Sequence, residues 1–246
     1  MAGAAFTEIG TTQQGCKVCG NPVTVRAHIV PRAIALDVKG NDTALLVGES
    51  ERKRNWPSQN GIWDHCLLCE EHERHLSECD RIGVEITRKI SDVQINAARR
   101  QGLVIENVNP RLLATFAVAC VWRYVKSRYG TKYRESLGPY DAICTRYIFE
   151  NFDYNIPVLV ALSPLVAPDD SIAPIISMPL RKRIFDRNAW SFQVNAAYYS
   201  VFLDKRPLPE AYDRFRVDMA NPLSIVVPGS LSISDWKGWR KLFEGK

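Results

Sequence analysis

All four histidines of this 246-residue chain, His28, His65, His72 and His75, fall between positions 16 and 79, together with Cys16, Cys19, Cys66, Cys69 and Cys79, five of its seven cysteines. An odd cysteine count, with no basic stretch ahead of an apolar one in Met1 to Phe6, argues against export and a disulfide framework. The expected setting is cytoplasmic and reducing, where clustered thiols and imidazoles mean metal, zinc first. Cys120 and Cys144 stand in apolar helix-like sequence and read as packing.

Cys16-Lys17-Val18-Cys19 is one half of a zinc site, because two thiolates two residues apart reach one ion from a tight turn. The second half must come from Asp64 to Glu73, which offers two registers. Cys66 with Cys69 completes four thiolates; Cys69 with His72 completes three thiolates and an imidazole at a helix start. Both satisfy the ligand chemistry of a closed structural site.

Charge narrows the function less than the cysteines do. Lys and Arg number 32 against 27 Asp and Glu, and the whole excess of +5 lies in residues 101–246. So small an excess excludes a strongly polycationic chain, and local clusters carry more weight. These are Arg52-Lys53-Arg54, Arg181-Lys182-Arg183, and the run Arg123, Tyr124, Lys126, Arg128, Tyr129, Lys132, Tyr133, Arg134. The two triplets are the candidate nucleic-acid contacts; for each cluster a solvated face is the competing reading. The longest uncharged stretches are short and broken by proline, so no membrane span is expected.

Apolar residues at steps of three and four from Ile82 to Ala97 predict an amphipathic helix ending before Gly102. Asn109-Pro110 opens a second, apolar on most sides, stopped at Gly130; a third starts near Gly138-Pro139 and runs through Ile148. Beyond Pro157, short β-branched and aromatic runs at 157–162, 172–180, 191–203 and 224–227 predict a strand-rich unit. Lys39 to Gly61, rich in breakers, reads as a long loop. The expected architecture is α+β. Residues 1–105 form a zinc-stabilised module with a closing helix, and 106–246 form a helical segment followed by the strand-rich unit.

Three short motifs carry a resemblance. Cys16-x-x-Cys19, Ala27-His28-Ile29-Val30-Pro31 and Leu67-Leu68-Cys69-x-x-His72-Glu73 resemble the zinc-scaffolded HNH, or ββα-metal, endonucleases. More closely they resemble a bacterial branch reading Cys-x-x-Cys, His-Ile-x-Pro and Leu-Cys-x-x-Cys-Glu, whose continuation Trp122-Arg123 and Leu137-Gly138-Pro139-Tyr140 fit.

The resemblance implies a ββα-metal fold and selects Cys16, Cys19, Cys69 and His72 as ligands of a structural Zn2+, with His72 where the family has its fourth Cys. It makes His28 the general base of phosphodiester hydrolysis, on DNA by first expectation, and places Asp64 where an Asn orients that base. It places Glu73 where a catalytic-metal ligand stands, beside Mg2+ or Mn2+. Restriction or phage defence, and a protein regulator, follow from the resemblance alone. Ala27 stands where the family has an acidic metal ligand. The alternative is therefore a catalytically inactive, zinc-stabilised module that binds nucleic acid or protein.

Overall fold

The structure, a computed structural model, describes residues 15–49, 54–92, 103–163, 175–213, 215–217 and 222–225. Its first half holds β1 (Val25–His28), α1 (Arg32–Lys39), β2 (Leu45–Glu49), β3 (Arg54–Ser58), β4 (Trp63–Leu68), α2 (Glu70–His75), α3 (Ser77–Ser91) and β5 (Leu103–Ile105). The second half opens with α4 (Pro110–Lys126), α5 (Arg128–Lys132), a 3-10 turn at Gly138–Tyr140 and α6 (Asp141–Phe149). It ends with β6 (Val158–Leu162), β7 (Ile175–Ser177), β8 (Leu180–Ile184), β9 (Arg187–Val194), β10 (Ala197–Phe202), α7 (Glu210–Asp213) and β11 (Leu223–Ile225). The class is α+β, and among the described residues no helix is long and apolar enough to cross a membrane.

Helix α4 is the axis of the core. The Asn109 side chain caps it by accepting from the Leu112 amide at 3.1 Å, Pro110 supplies its first residue, and every residue from Leu113 to Val125 is buried. Its end falls earlier than Gly130. The chain breaks at Ser127, whose hydroxyl donates to the Tyr124 carbonyl and accepts from the Tyr129 amide, so α4 closes and α5 starts on one residue. Gly130 lies inside α5, where a Cβ would come within 2.5 Å of the Val125 and Tyr124 carbonyl oxygens. Its smallness serves close packing, not a helix stop.

The amphipathic helix expected over Ile82 to Ala97 is α3, which buries Ile82, Val84, Ile86 and Ile90 and lies against α4. At the crossing Gly83 faces the Phe116 ring, and a Cβ there would sit 2.3 Å from it. Residues 93–102 lie outside the described residues.

The principal sheet has seven strands in the order β3-β2-β7-β9-β10-β6, with β8 paired to β9. All its pairs are antiparallel except β2 with β7. Its central strands β9 and β10 are buried nearly throughout, as two-sided strands of aromatic and β-branched residues should be. Phe185 and Asp186, both at positive φ, form the two-residue turn from β8 to β9.

One expectation needs correction here. Lys39 to Gly61 is not a long loop: it contains the hairpin β2–β3, and β2 joins the sheet beside β7, with Leu45 and Val47 no more than 1% exposed. Breaker residues concealed strands whose partner lies more than a hundred residues away. Several contacts span residues 105 and 106, the boundary expected from the sequence. Strand β2 pairs across it, α3 packs on α4, β5 pairs with β11, and one apolar cluster runs from Cys16 to Ile225.

Candidate metal centre and the buried pocket beside it

The knuckle at Cys16 is a turn closed by backbone hydrogen bonds. The Cys16 amide donates to the Asn21 carbonyl at 2.8 Å and the Gly20 amide to the Cys16 carbonyl at 2.9 Å, with Gly20 at φ 75°. The Lys17 amide donates to the Leu67 carbonyl, which ties the knuckle to the end of β4. There Cys69 takes extended backbone as the cap residue of α2, and His72 follows in the first turn. The ligand atoms of Cys16, Cys19, Cys69 and His72 all lie within 4.8 Å of one another. Cys69 Sγ is 3.1 Å from His72 Nδ1, and Cys19 Sγ is 3.9 Å from Cys69 Sγ.

Such a group can hold a metal ion such as zinc, and its three-sulfur, one-nitrogen donor set is that of closed structural zinc sites. Burial alone would raise the Cys16 thiol; backbone amides of Cys19, Cys69 and Val18 outweigh it and bring the thiol below its ordinary value, toward the thiolate a metal needs. Cys66 is outside the group. It lies inside β4, three residues short of the helix start that brings Cys69 and His72 together. His75 is likewise no member: its Nε2 meets the Ile148 carbonyl at 3.1 Å at the end of α6.

His28 closes β1 opposite Trp63. Its Nε2 is buried and, among the described residues, has no hydrogen-bond partner. Burial, then the charges of Arg123, Arg26 and Arg32, pull the imidazole down to about 4, against a weaker opposing hydrogen bond with the Asn60 backbone. The ring is therefore neutral at pH 7.

Glu73 lies one residue beyond His72 and also has a buried oxygen, Oε2, without a hydrogen-bond partner among the described residues. Burial pushes its carboxyl up, with Arg123 opposing and Asp80 adding to the rise. Between these groups stands Arg123, 0% exposed, which forms an ion pair with Asp80 and donates from Nη1 to the His28 carbonyl at 2.8 Å. Burial would lower the guanidinium, yet Asp80 and its other neighbours hold it above its ordinary value, so it stays charged. Asp80 in turn lines an open groove of about 610 Å³ with Pro31, Ala33 and Val84.

Sequence reasoning grouped Arg123 with a basic cluster and passed over Asp80. The available signal was position: an Arg flanked by Val121, Trp122, Tyr124 and Val125 inside an apolar helix cannot be solvated.

Asp64 does not join His28 and Glu73. It stands opposite Ala27 and is 5% exposed; Oδ1 accepts from the Cys66 amide at 2.8 Å and Oδ2 from the Arg128 amide at 2.6 Å. Both oxygens are thus committed to backbone, and the residue clips the start of α5 to β4. The expected Mg2+ or Mn2+ site fits poorly. Ala27 is buried and supplies no donor, Asp64 is engaged, Arg123 places a fixed positive charge at the pocket, and no second metal-capable group of three occurs among the described residues.

The expected nucleic-acid contacts are unequal. Arg52 and Lys53 lie outside the described residues, and Arg54 opens β3. On β8, Arg181 is exposed, Lys182 lies 5.8 Å from the Tyr198 ring, and Arg183 donates to the Asp186 carbonyl. A further cationic face gathers Arg26 of β1 and Arg128 of α5 around Trp63 of β4. Arg26 stacks 4.5 Å over Trp63, and Arg128 lies 5.5 Å from the same ring and 5.0 Å from Tyr129. His65 meets Trp63 edge-on. Comparison with family models, with curated proteins and with solved structures finds no match to this chain.

Proposed function

We propose that this chain is a zinc-stabilised module of the HNH type that acts on nucleic acid, DNA by first expectation, by hydrolysing phosphodiester bonds. Zinc at Cys16, Cys19, Cys69 and His72 supplies folding free energy and no chemistry, since protein atoms fill all four positions. The observation that carries the reading is His28: a neutral imidazole with an unengaged nitrogen, at the end of the strand paired with the one that leads into the metal-holding helix. A neutral imidazole can take a proton from a water that attacks phosphorus. Arg26 and Arg128, stacked on Trp63 beside it, are suited to the flanking phosphates.

The test is cleavage of supercoiled and linear DNA by zinc-loaded protein, with and without added Mg2+ or Mn2+, beside His28→Ala. Cleavage lost in the variant with zinc retained supports the reading; cleavage by the variant at the wild-type rate ends it.

A second reading, a binding module without chemistry, draws on a specific observation. His28 Nε2 and Glu73 Oε2 are both buried, and Asp64 is spent on backbone amides. Binding without cleavage under every condition above would favour it.

A further inference from the structure

His28, Glu73, Asp80 and Arg123 form a cluster, a pocket of side chains around one guanidinium, with an unusual combination of groups. Two potential metal donors, the carboxylate oxygen Glu73 Oε2 and the imidazole nitrogen His28 Nε2, are buried without hydrogen-bond partners among the described residues. Between them a wholly buried guanidinium is pinned on two sides, to Asp80 and to the His28 carbonyl. An arginine cannot shed its proton, so its charge is permanent, and in a low-dielectric interior a permanent charge dominates the local field. It is also held rigidly: α4 contributes Arg123, α3 contributes Asp80, and the two helices meet at the Gly83–Phe116 contact.

We propose that Arg123 is the resident cation of this pocket, occupying the electrostatic position that a divalent ion would otherwise take, so that Glu73 and His28 hold no Mg2+ or Mn2+. Two relationships support it. Asp80 is paired with Arg123 and is not available to a metal. The His28 carbonyl, which would also attract a cation, already accepts from Arg123. A divalent ion entering here would meet a fixed like charge on a wholly buried guanidinium. The pocket therefore works, in catalysis or in binding, with a built-in monopositive charge and one metal ion elsewhere. The inference concerns the pocket and holds under either functional reading above. Its readout is metal binding, so its failure is distinguishable from failure of the nuclease reading.

The experiment is a Mn2+ titration of the zinc-loaded full chain, read by the electron paramagnetic resonance signal of free Mn2+. The wild type should remove no stoichiometric Mn2+ up to about 1 mM, the weak end of protein cation sites. Arg123→Gln should take up one Mn2+ per chain at least about tenfold more tightly than wild type, and Arg123→Gln with Glu73→Gln should lose that gain. Arg123→Lys, which keeps the charge, should behave as wild type. Stoichiometric uptake by the wild type that is abolished in Glu73→Gln overturns the proposal. So does a folded, zinc-retaining Arg123→Gln that binds Mn2+ no better than wild type. If Arg123→Gln does not fold, the wild-type titration decides alone: no uptake supports the proposal, and Glu73-dependent uptake ends it.

Discussion

The ring of Phe149 stands edge-on to His72, with centroids 5.3 Å apart, and the same ring meets Trp122 edge-on at 5.4 Å. A metal-capable imidazole is thus coupled through one aromatic side chain to the central helix. His75 extends the contact, lying 5.7 Å from Phe149 and bonded to the Ile148 carbonyl.

Because of that coupling, losing the metal should disturb more than the knuckle. We expect one zinc per chain by metal analysis, and His72→Ala or Cys69→Ser should lose it, lower the melting temperature steeply and change Trp122 emission. Structural zinc contributes about 10 to 16 kcal/mol of apparent binding free energy in zinc-finger peptides, well beyond the stability of most domains. Cys66→Ser should keep the metal. Zinc retained in His72→Ala and lost in Cys66→Ser would favour the all-thiolate register.

Gly83→Ala should destabilise the chain although alanine is the better helix former by about 1 kcal/mol. The added methyl would overlap the Phe116 ring, and α3 and α4 are too firmly packed to separate freely. Overpacking of this kind costs about 1 to 3 kcal/mol. Urea unfolding of the variant, showing a lower midpoint, checks it; an unchanged or raised midpoint would mean the ring moves aside at no cost.

Acid sensitivity should trace in part to His28. Its folded value of about 4 lies below the ordinary 6.5, so the unfolded chain binds the extra proton first and stability falls as pH drops from about 6.5 toward 4. Full expression of the shift is on the order of 3 kcal/mol, reduced by the ring's partial exposure. Unfolding curves at pH 7, 6 and 5 should show a shallower loss for His28→Gln than for wild type. Parallel losses in the two proteins would remove His28 from the account; zinc content measured at each pH separates ligand protonation.

Replacing His28 by Ala should cut phosphodiester hydrolysis by about 100- to 10,000-fold, the usual worth of a general base, with zinc content unchanged. Asp64→Asn should act differently. Its side chain can still accept one amide, so the expected result is a loss of stability through the α5 clip, seen as a lower melting temperature, accompanied by any loss of rate.

For nucleic-acid binding, Arg26→Glu with Arg128→Glu should weaken affinity more than charge reversal at Arg181, Lys182 and Arg183. Arg183 is already engaged with Asp186, whereas Arg26 and Arg128 flank the Trp63 ring, whose residue pairs with His28. Each phosphate contact removed should lower the slope of log affinity against log salt by about 1. Equal effects from the two sets would spread the interface over both faces.

Local chemistry was legible in the sequence. Cysteine and histidine spacing narrowed the ligands to Cys16 and Cys19 with either Cys66 and Cys69 or Cys69 and His72, since two short motifs need only a turn and a helix start to present them; folding gathers the second set. The Asn109-Pro110 cap and the apolar run behind it likewise marked the start of α4, because capping and periodicity act within a few residues. What tertiary structure alone decided is everything that depends on distant partners. Strand β2 exists because β7 lies beside it, and Leu45 and Val47 carry too little local pattern to announce it. Asp64 reads in sequence only as a carboxylate near the motif; that one of its oxygens accepts from the Arg128 amide, sixty-four residues on, folding alone decided. Arg123 looked like surface charge until Asp80 and the His28 carbonyl made its burial tolerable. A side chain's type sets what it can do; the groups folding brings within hydrogen-bonding reach determine which of those things it does.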